Sequence, residues 1–200
     1  MMHTLIFATN NQNKVAEVKK VLPDFFKIQS LKEAGINIDI PEPYDTLEEN
    51  ASTKSKTIFE ITTIDCFSED TGLFVEALNG EPGVKSARYA GEAVSSQANI
   101  EKLLIKLTGI GNRKAFFRTV ISLIIDGKEF QFDGVCEGII LDKPRGSGGF
   151  GYDSIFLPNG SVKCFGEMTM EEKNIFSHRK KAMAKLIDFL SKKINPNFLN

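Results

Sequence analysis

The chain has 200 residues, of which 42% are apolar and 26% charged, and a net charge of −1 at neutral pH. This length favours one domain, or two closely packed lobes, with a sizeable core. The small net charge argues against binding to duplex nucleic acid or to a membrane surface. No run approaches the roughly 20 apolar residues that a membrane helix needs, and the short apolar N-terminal segment does not suit a signal peptide, so we expect a cytoplasmic protein. Widely spaced cysteines without metal-type spacing predict free thiols in a reducing compartment, at Cys66, Cys136 and Cys164.

The first segment predicts a strand, a polar turn and a helix. Leu5–Ala8 is a short apolar run, and valines and a leucine recur at helical spacing after the turn. A turn in this position has backbone N–H groups and the positive end of a helix dipole beside it, which favours anion binding. Lys14, in the first helical turn, opposes that dipole, so it is either a solvated lysine behind an asparagine cap or the partner of an anionic ligand. The turn residues are Thr9, Asn10, Asn11, Gln12, Asn13 and Lys14.

Glu42 stands between two prolines, which hold it in extended, non-helical backbone. It is either a metal ligand fixed in place or an exposed loop acid. The segment Thr46–Glu49 has the form of a capping box that begins a helix through about residue 61, which gives Glu49 a structural role. Lys54 lies further along this helix and either reaches a phosphate or faces water.

Two adjacent carboxylates, Glu69 and Asp70, follow the strand-like run Thr62–Phe67. Thr71 and Gly72 come next, so we expect the acids at a strand end beside a tight turn. Paired carboxylates in that position suit divalent metal binding or activation of a water molecule. The alternative is a polar turn with two solvated acids.

A glycine-rich stretch, Pro144–Asp153, contains four glycines and two aromatic residues. Glycines let the backbone approach a ligand closely, and Phe150 and Tyr152 offer stacking faces. No Gly-Lys-Ser/Thr sequence follows, so the stretch is not a Walker loop, and by itself it is also compatible with an ordinary surface loop.

The C-terminal segment contains a second capping box, Thr169–Glu172, directly before Lys173. The last helix then begins near His178 with four consecutive basic residues. A histidine at a helix start is ordinarily on the surface. Cations at a helix N-terminus oppose the dipole, so an anionic or carbonyl-bearing partner would explain His178 and Arg179.

Strands and helices alternate early in the chain, and a long hairpin and a terminal helix follow. Phe26–Leu31 is the predicted second strand, beside the first. Ser95 is the predicted start of a helix with an apolar core stripe. The hairpin comprises Lys114–Ile125, a type I′ turn at Asp126-Gly127, and a return strand from Glu129. This order predicts an α/β fold with a mixed sheet.

Five segments in this order resemble the inosine triphosphate pyrophosphatase family, whose bacterial members are XTP/dITP diphosphatases: TNNQNK, SEDTG, PGVKSARYAG, GGFGYD and EEKNIFSHR. The resemblance extends from Thr9 to about Arg179. It implies that residues 1–200 form a single ITPase-like domain, in which a long mixed β-sheet with flanking helices forms two lobes around a substrate cleft. It also implies a homodimer and Mg²⁺-dependent hydrolysis of XTP, ITP and dITP to the monophosphate and pyrophosphate, which removes these non-standard purine nucleotides from the pool.

The resemblance also implies roles for individual residues. Asp70 would be a metal ligand and the general base, and Glu42 the second metal ligand. Glu69 stands where other members often have aspartate, which leaves open which acid of the pair accepts the proton. Cationic donors such as His178 and Arg179 would pair with a 6-oxo group and be left unpaired by adenine, which would give selectivity. The implied substrate-binding residues are Thr9, Asn10, Asn11, Gln12, Asn13, Lys14, Lys54, Thr71, Arg88, Phe150, Gly151, Tyr152, Asp153, Lys173, His178 and Arg179.

Two other functions fit part of the pattern. A Maf-like pyrophosphatase would share the fold but select other bases, as in dTTP or modified pyrimidine nucleotides; the SHR and GGFGYD segments argue against it. A nucleotide-binding regulator without catalysis would not need Asp70 beside a metal ligand.

Overall fold

The computed structural model describes residues 3–22, 26–91 and 95–194. In these ranges the chain forms an α/β structure. Its strands are β1 (His3–Phe7), β2 (Phe26–Ser30), β3 (Cys66–Val75), β4 (Pro82–Gly83), β5 (Lys114–Ile125), β6 (Lys128–Ile140) and β7 (Phe156–Pro158). Its helices are α1 (Gln12–Lys19), α2 (Leu47–Thr62), α3 (Ser96–Lys106), α4 (Met170–Phe176) and α5 (His178–Ile194).

The strands form one mixed sheet in the order β2-β1-β3-β5-β6-β7, with β4 paired to β3. β1 is parallel to both β2 and β3, whereas β3 pairs with β4, and β6 with β7, in antiparallel fashion. The β5–β6 hairpin turns at Asp126 and Gly127, whose φ angles are 51° and 69°. Positive φ at both central residues is what a type I′ turn requires. The predicted mixed α/β sheet is confirmed.

The chain divides into two compact units. Unit 1 comprises Met1–Asp70, Thr119–Gly134 and Arg179–Asn200, and unit 2 comprises Thr71–Arg118 and Val135–His178. The core of unit 1 includes Phe7 and Phe67, whose rings stack at 4.4 Å, and the apolar face of α5. The core of unit 2 gathers the buried face of α3 with aromatic side chains from β5, β7 and the segment after it. Each unit therefore buries apolar surface of its own.

Hydroxyl caps begin three of the helices at the predicted residues. The side chains of Thr46, Ser95 and Thr169 each accept a hydrogen bond, 3.2 Å long, from the backbone N–H three residues later. At α4 the capping box is closed, because the Glu172 carboxylate accepts from the Thr169 N–H at 2.9 Å. These caps satisfy N–H groups that have no partner inside the helix, so the local sequence fixes where each helix begins.

Two expectations around β3 are wrong. The run Thr62–Phe67 is not a strand, because α2 continues through Thr62 and Thr63 ends it in a left-handed conformation. β3 begins only at Cys66, so Glu69 and Asp70 lie inside a ten-residue strand and not at its end. Gly72 is likewise a strand residue: a Cβ there would lie 2.7 Å from the Gly83 carbonyl oxygen of β4. Close approach of two strands, not a tight turn, explains this glycine.

The three cysteines are buried free thiols, as predicted. Burial raises the pKa of the Cys66 thiol to about 12, so it stays protonated. A search of the described ranges finds no helix with the length and apolar character needed to cross a bilayer.

Candidate active site

The middle of β3 places Glu69 in a buried ion cluster of unit 1. Arg179, in the first turn of α5, donates to both carboxylate oxygens of Glu69 over 2.8–2.9 Å and also donates to the carboxylate of Glu17 in α1. The ammonium of Lys14 lies 3.2 Å from the same Glu69 carboxylate. The cations at the starts of α1 and α5 therefore meet carboxylates of the protein itself. The anionic partners that would explain the position of Arg179 are thus Glu69 and Glu17, and no ligand is required to explain it.

This cluster fixes the charge of Glu69. Burial raises the pKa of the carboxyl, but the charges of Arg179 and Lys14 outweigh burial and hold the pKa at about 2. Burial alone would lower the pKa of Arg179, and its two acidic partners raise it instead. A carboxylate that is this strongly stabilised as an anion is a poor proton acceptor. Glu69, with both carboxylate oxygens engaged by Arg179, is therefore a poor candidate for a general base.

A second cluster surrounds Asp70 at the end of the unit 1 part of β3. Lys54, buried on α2, forms an ion pair with Glu42 and lies 3.8 Å from an oxygen of Asp70. Its ammonium also donates to the Glu69 carbonyl oxygen at 2.7 Å. Asn50, one turn earlier on α2, donates to the other oxygen of Asp70 at 3.3 Å. Glu42 and Asp70, far apart in sequence, thus lie around one cationic group.

This donor set fits Mg²⁺. Mg²⁺ prefers oxygen ligands and is commonly held by one or two carboxylates together with phosphate oxygens of the substrate. Glu42 and Asp70 supply two carboxylates that already share a cation, Lys54. Within the described ranges no group of three or more His, Cys, Asp or Glu side chains has the geometry of a metal site, so a closed protein cage is absent there. At such a site, water molecules or substrate oxygens would complete the metal's coordination.

The polar turn before α1 is built around Asn11. Its side-chain oxygen accepts from the N–H groups of Asn13 and Lys14, at 3.0 and 3.2 Å, and so caps the helix. The Thr9 hydroxyl accepts from the Asn11 N–H at 3.1 Å. Asn10, Asn11, Gln12 and Asn13 are exposed, while Thr9 and Lys14 are half-buried. The predicted asparagine cap is present, and Lys14 is neither fully solvated nor without an anion, because it pairs with the Glu69 carboxylate of the protein itself.

In unit 2 the glycine-rich loop is held by hydrogen bonds to the Asp153 side chain. The Asp153 carboxylate accepts from the Phe150 N–H at 2.9 Å and from the ammonium of Lys173, on α4, at 2.7 Å. Gly149 has φ +74°, and a Cβ there would overlap the Asp153 carboxylate. The ammonium of Lys173 lies 5.1 Å from the centre of the half-buried Phe150 ring. One carboxylate therefore fixes the shape of this loop and the position of its half-buried aromatic residue, Phe150.

Tyr152 has a structural position. Its side chain is only 4% exposed and belongs to the core of unit 2, and its hydroxyl donates to the Ser86 carbonyl at 2.9 Å. Its ring therefore does not offer the open stacking face that the sequence predicted. The same Ser86 carbonyl accepts from the Asn99 amide at 3.3 Å. These bonds hold the short turn that carries Arg88, whose side chain is exposed.

His178 is buried, contrary to the usual position of a histidine at a helix start. It is 3% exposed, and its ring stacks on Phe117 with centroids 4.7 Å apart.

Thr71 and Gly151 are half-buried. The predicted residues thus fall into two sets. Unit 1 contains Thr9, Asn10, Asn11, Gln12, Asn13, Lys14, Glu42, Lys54, Asp70 and Arg179, and unit 2 contains Thr71, Arg88, Phe150, Gly151, Tyr152, Asp153, Lys173 and His178.

The buried polar residues that sequence analysis missed include Glu17, Asn50 and Asn99. Glu17 lies three residues after Lys14 on the inner face of α1, and an acid on such a face signals a buried cationic partner. Asn50 lies at the end of the first turn of α2, on the same face as Lys54. A buried asparagine needs hydrogen-bond partners, but the sequence does not reveal which groups they are.

Both the sequence and the α/β fold of this chain match those of known proteins. The Ham1 family profile matches residues 5–189. The chain is 51% identical over 190 residues to a dITP/XTP pyrophosphatase of Porphyromonas gingivalis, covering 94% of this chain and 98% of that protein. It is 47% identical over 187 residues to a protein of the same name in Flavobacterium johnsoniae, covering 94% and 97% of the two chains.

Solved structures give the same result. The Staphylococcus aureus Ham1 protein superposes with a TM-score of 0.86 at 40% identity, covering 95% of this chain and 99% of that one. A HAM1 protein from Coxiella burnetii gives a TM-score of 0.87 at 34% identity, covering 96% and 100%. The chain belongs to the Ham1 family, which confirms the resemblance predicted from the five segments.

Proposed function

We propose that this chain is a nucleoside triphosphate pyrophosphatase that hydrolyses dITP, XTP and ITP to the monophosphate and pyrophosphate, with Mg²⁺ as its metal. The names of the relatives support the substrate class. The observation that carries the chemistry is the cluster of Glu42, Asp70 and Lys54. Two carboxylates next to one ammonium group provide a place for a metal ion, a proton acceptor and a phosphate-side cation within one small region.

The chain's own residues have distinct tasks in this proposal. Glu42 and Asp70 would hold the metal, which when bound would neutralise charge on the phosphates. Asp70 accepts the proton of the water that attacks the α-phosphorus, while Glu69 remains ionised beside Arg179. Lys14 and Lys54 face the triphosphate, together with the polar turn from Thr9 to Asn13. In hydrolysis of the α–β phosphoanhydride, the attacking water becomes part of the monophosphate and pyrophosphate leaves.

The base is proposed to bind at the glycine-rich loop. Phe150 stacks on the purine, while Asp153 and Lys173 keep that ring in place. His178 is the proposed donor to a 6-oxo group, and Arg88 contacts the phosphates from its exposed turn. Arg179 is also a predicted base contact. Because its donor groups are engaged by Glu69 and Glu17, it would have to exchange one of those bonds for the base.

The test is pyrophosphate release from ITP, XTP, dITP, GTP, ATP and dTTP, measured side by side with and without Mg²⁺. We expect strong release from the first three and a requirement for the metal. Preference for dTTP would indicate the Maf-like specificity. Tight binding of dITP with no release from any of the six would indicate a regulator without catalysis.

The homodimer, the single domain and the cytoplasmic location remain predictions. Sedimentation equilibrium of the purified chain tests the first of them, with a mass of twice 22.2 kDa as the expected result.

A further inference from the structure

We propose that Asn50 is a positioning residue. Its side chain binds the backbone of the loop that carries Glu42 and thereby holds Glu42 at a fixed position relative to Asp70. The inference rests on the proposed function only in taking these two acids as the metal ligands. Asn50 lies in the first turns of α2 and is 1% exposed. A primary amide this deeply buried is costly unless its donors and acceptor are satisfied.

The amide makes three hydrogen bonds with two different segments. Its oxygen accepts from the Tyr44 N–H at 3.0 Å, and its nitrogen donates to the Tyr44 carbonyl at 3.0 Å. The same nitrogen donates to a carboxylate oxygen of Asp70 at 3.3 Å. Both backbone groups of Tyr44, two residues after Glu42, are thus held by one side chain that also contacts Asp70.

The chemistry of the partners fixes the orientation of this amide. If the oxygen and nitrogen of Asn50 were exchanged, its oxygen would face the Tyr44 carbonyl and the Asp70 carboxylate, and acceptors would oppose acceptors. Only an amide supplies one acceptor and two donors in this arrangement, so aspartate, leucine or serine cannot replace all three bonds. The loop that carries Glu42 and strand β3 are therefore linked by a residue that few others can replace.

Asn50 and Lys54 share one face of α2, because they are four residues apart. Lys54 contacts the Glu42 side chain itself, whereas Asn50 holds the loop backbone. Glu42 belongs to a segment without helix or strand, so its position depends on such tertiary bonds. Groups that orient metal ligands without touching the metal typically change metal affinity by about 10–100-fold when removed.

The test measures binding of Mn²⁺ alone, by the electron paramagnetic resonance signal of the free ion, as an oxygen-preferring substitute for Mg²⁺. The variants are Asn50→Ala and Asn50→Ser, the latter with a smaller cavity that can still bind water. Asn99→Ala is the matched control, because Asn99 is also a buried asparagine that clasps backbone groups, in unit 2. Thermal unfolding verifies that each variant is folded.

We expect the dissociation constant of Mn²⁺ to rise about tenfold or more in both Asn50 variants and to stay within about twofold of wild type in Asn99→Ala. Raising the Mg²⁺ concentration should restore most of kcat in Asn50→Ser. Unchanged Mn²⁺ affinity in a folded Asn50 variant would overturn the inference, as would an equal loss in Asn99→Ala or no Mn²⁺ binding by the wild type.

These outcomes separate the inference from the proposed function. A wild type that binds Mn²⁺ but hydrolyses none of the six nucleotides, together with weaker binding by Asn50→Ser, would refute the function and support the positioning role. If the wild type hydrolyses dITP and the Asn50 variants bind Mn²⁺ with unchanged affinity, the proposed function is supported and the positioning role of Asn50 is refuted.

Discussion

The two units bury charge in different ways. In unit 1, Lys14, Glu17, Glu69 and Arg179 are held by α1, β3 and α5, which are regular elements packed on a common core. In unit 2, Asp153 follows a glycine-rich loop, and Lys173 lies on the seven-residue helix α4. In unit 1, helices and a strand hold the charged side chains in place. In unit 2, the charged pair of Asp153 and Lys173 holds the glycine-rich loop in place. Under the proposed function, unit 1 carries out the phosphate chemistry and unit 2 binds the base, so variants in the two units should affect different steps.

Asp70 is the proposed general base in unit 1, so we expect Asp70→Asn to have the largest effect on activity. The change is isosteric but removes the proposed proton acceptor, and a general base typically contributes 10²–10⁴-fold, so kcat should fall about 10³-fold. Pyrophosphate release from dITP measures the loss, and circular dichroism verifies the fold. The matching change in unit 2, Asp153→Asn, serves as control for kcat alone, because it should affect KM and not the chemical step. If Asp70→Asn kept most of its activity, Asp70 would be neither base nor essential ligand.

Glu69→Gln should have the largest effect on stability. It leaves Arg179 buried with one acidic partner, and breaking a buried pair costs about 3–5 kcal/mol. The effect should depend on pH in a defined direction. Because the pKa of Glu69 is about 2 in the folded state and its ordinary value is 4.5, its ionised form stabilises the protein above pH 4.5, and this contribution is lost as the pH falls from 4.5 toward 2.

Urea unfolding at neutral pH and at pH 3 measures this difference. The gap between wild type and Glu69→Gln should shrink at the lower pH. Glu81→Gln is the control, because Glu81 forms its ion pair with Lys106 on the surface and such pairs contribute about 0–1 kcal/mol. Equal destabilisation by the two variants would refute the structural role of the Glu69 cluster.

Asp153→Asn should affect substrate binding more than chemistry. The variant weakens the pair with Lys173 and loosens the Phe150 loop, so we expect KM for dITP to rise about tenfold, the equivalent of losing one charged hydrogen bond of about 1.5 kcal/mol. The Mg²⁺ requirement should not change. Lys163→Gln, which breaks the exposed pair with Glu172 near the same helix, should leave KM within twofold. A fall in kcat at unchanged KM would contradict the separation of roles between the units.

Phe150→Leu should have the smallest effect of the four. Loss of base stacking is worth about 1 kcal/mol, so KM should rise about fivefold for every purine triphosphate, with kcat and the preference for dITP over ATP unchanged. Phe116→Leu is the control, since Phe116 stacks on Phe74 at 5.0 Å in the same unit. A change in the dITP/ATP preference would instead give Phe150 a role in reading the 6-position.

The sequence alone determined much of the local structure and the class of chemistry. Hydroxyl caps at Thr46, Ser95 and Thr169 placed three helix starts, because capping depends on residues within one turn. The Asp126-Gly127 turn placed the long hairpin for the same reason, since only residues that tolerate positive φ suit a type I′ turn. Five ordered segments predicted the family that the comparisons confirm.

Only the tertiary structure decided which groups meet. Glu69 and Arg179 are 110 residues apart, and nothing in the local pattern of either predicts their pairing. The position of the two acids inside β3 depended on its pairing with β1 and β4, whereas the sequence suggested a turn at Gly72. Asn50 has no motif of its own, because a buried amide is defined by the partners that the fold brings to it. Local signals act within a few residues, while the contacts that position these acids form between distant segments when the core packs.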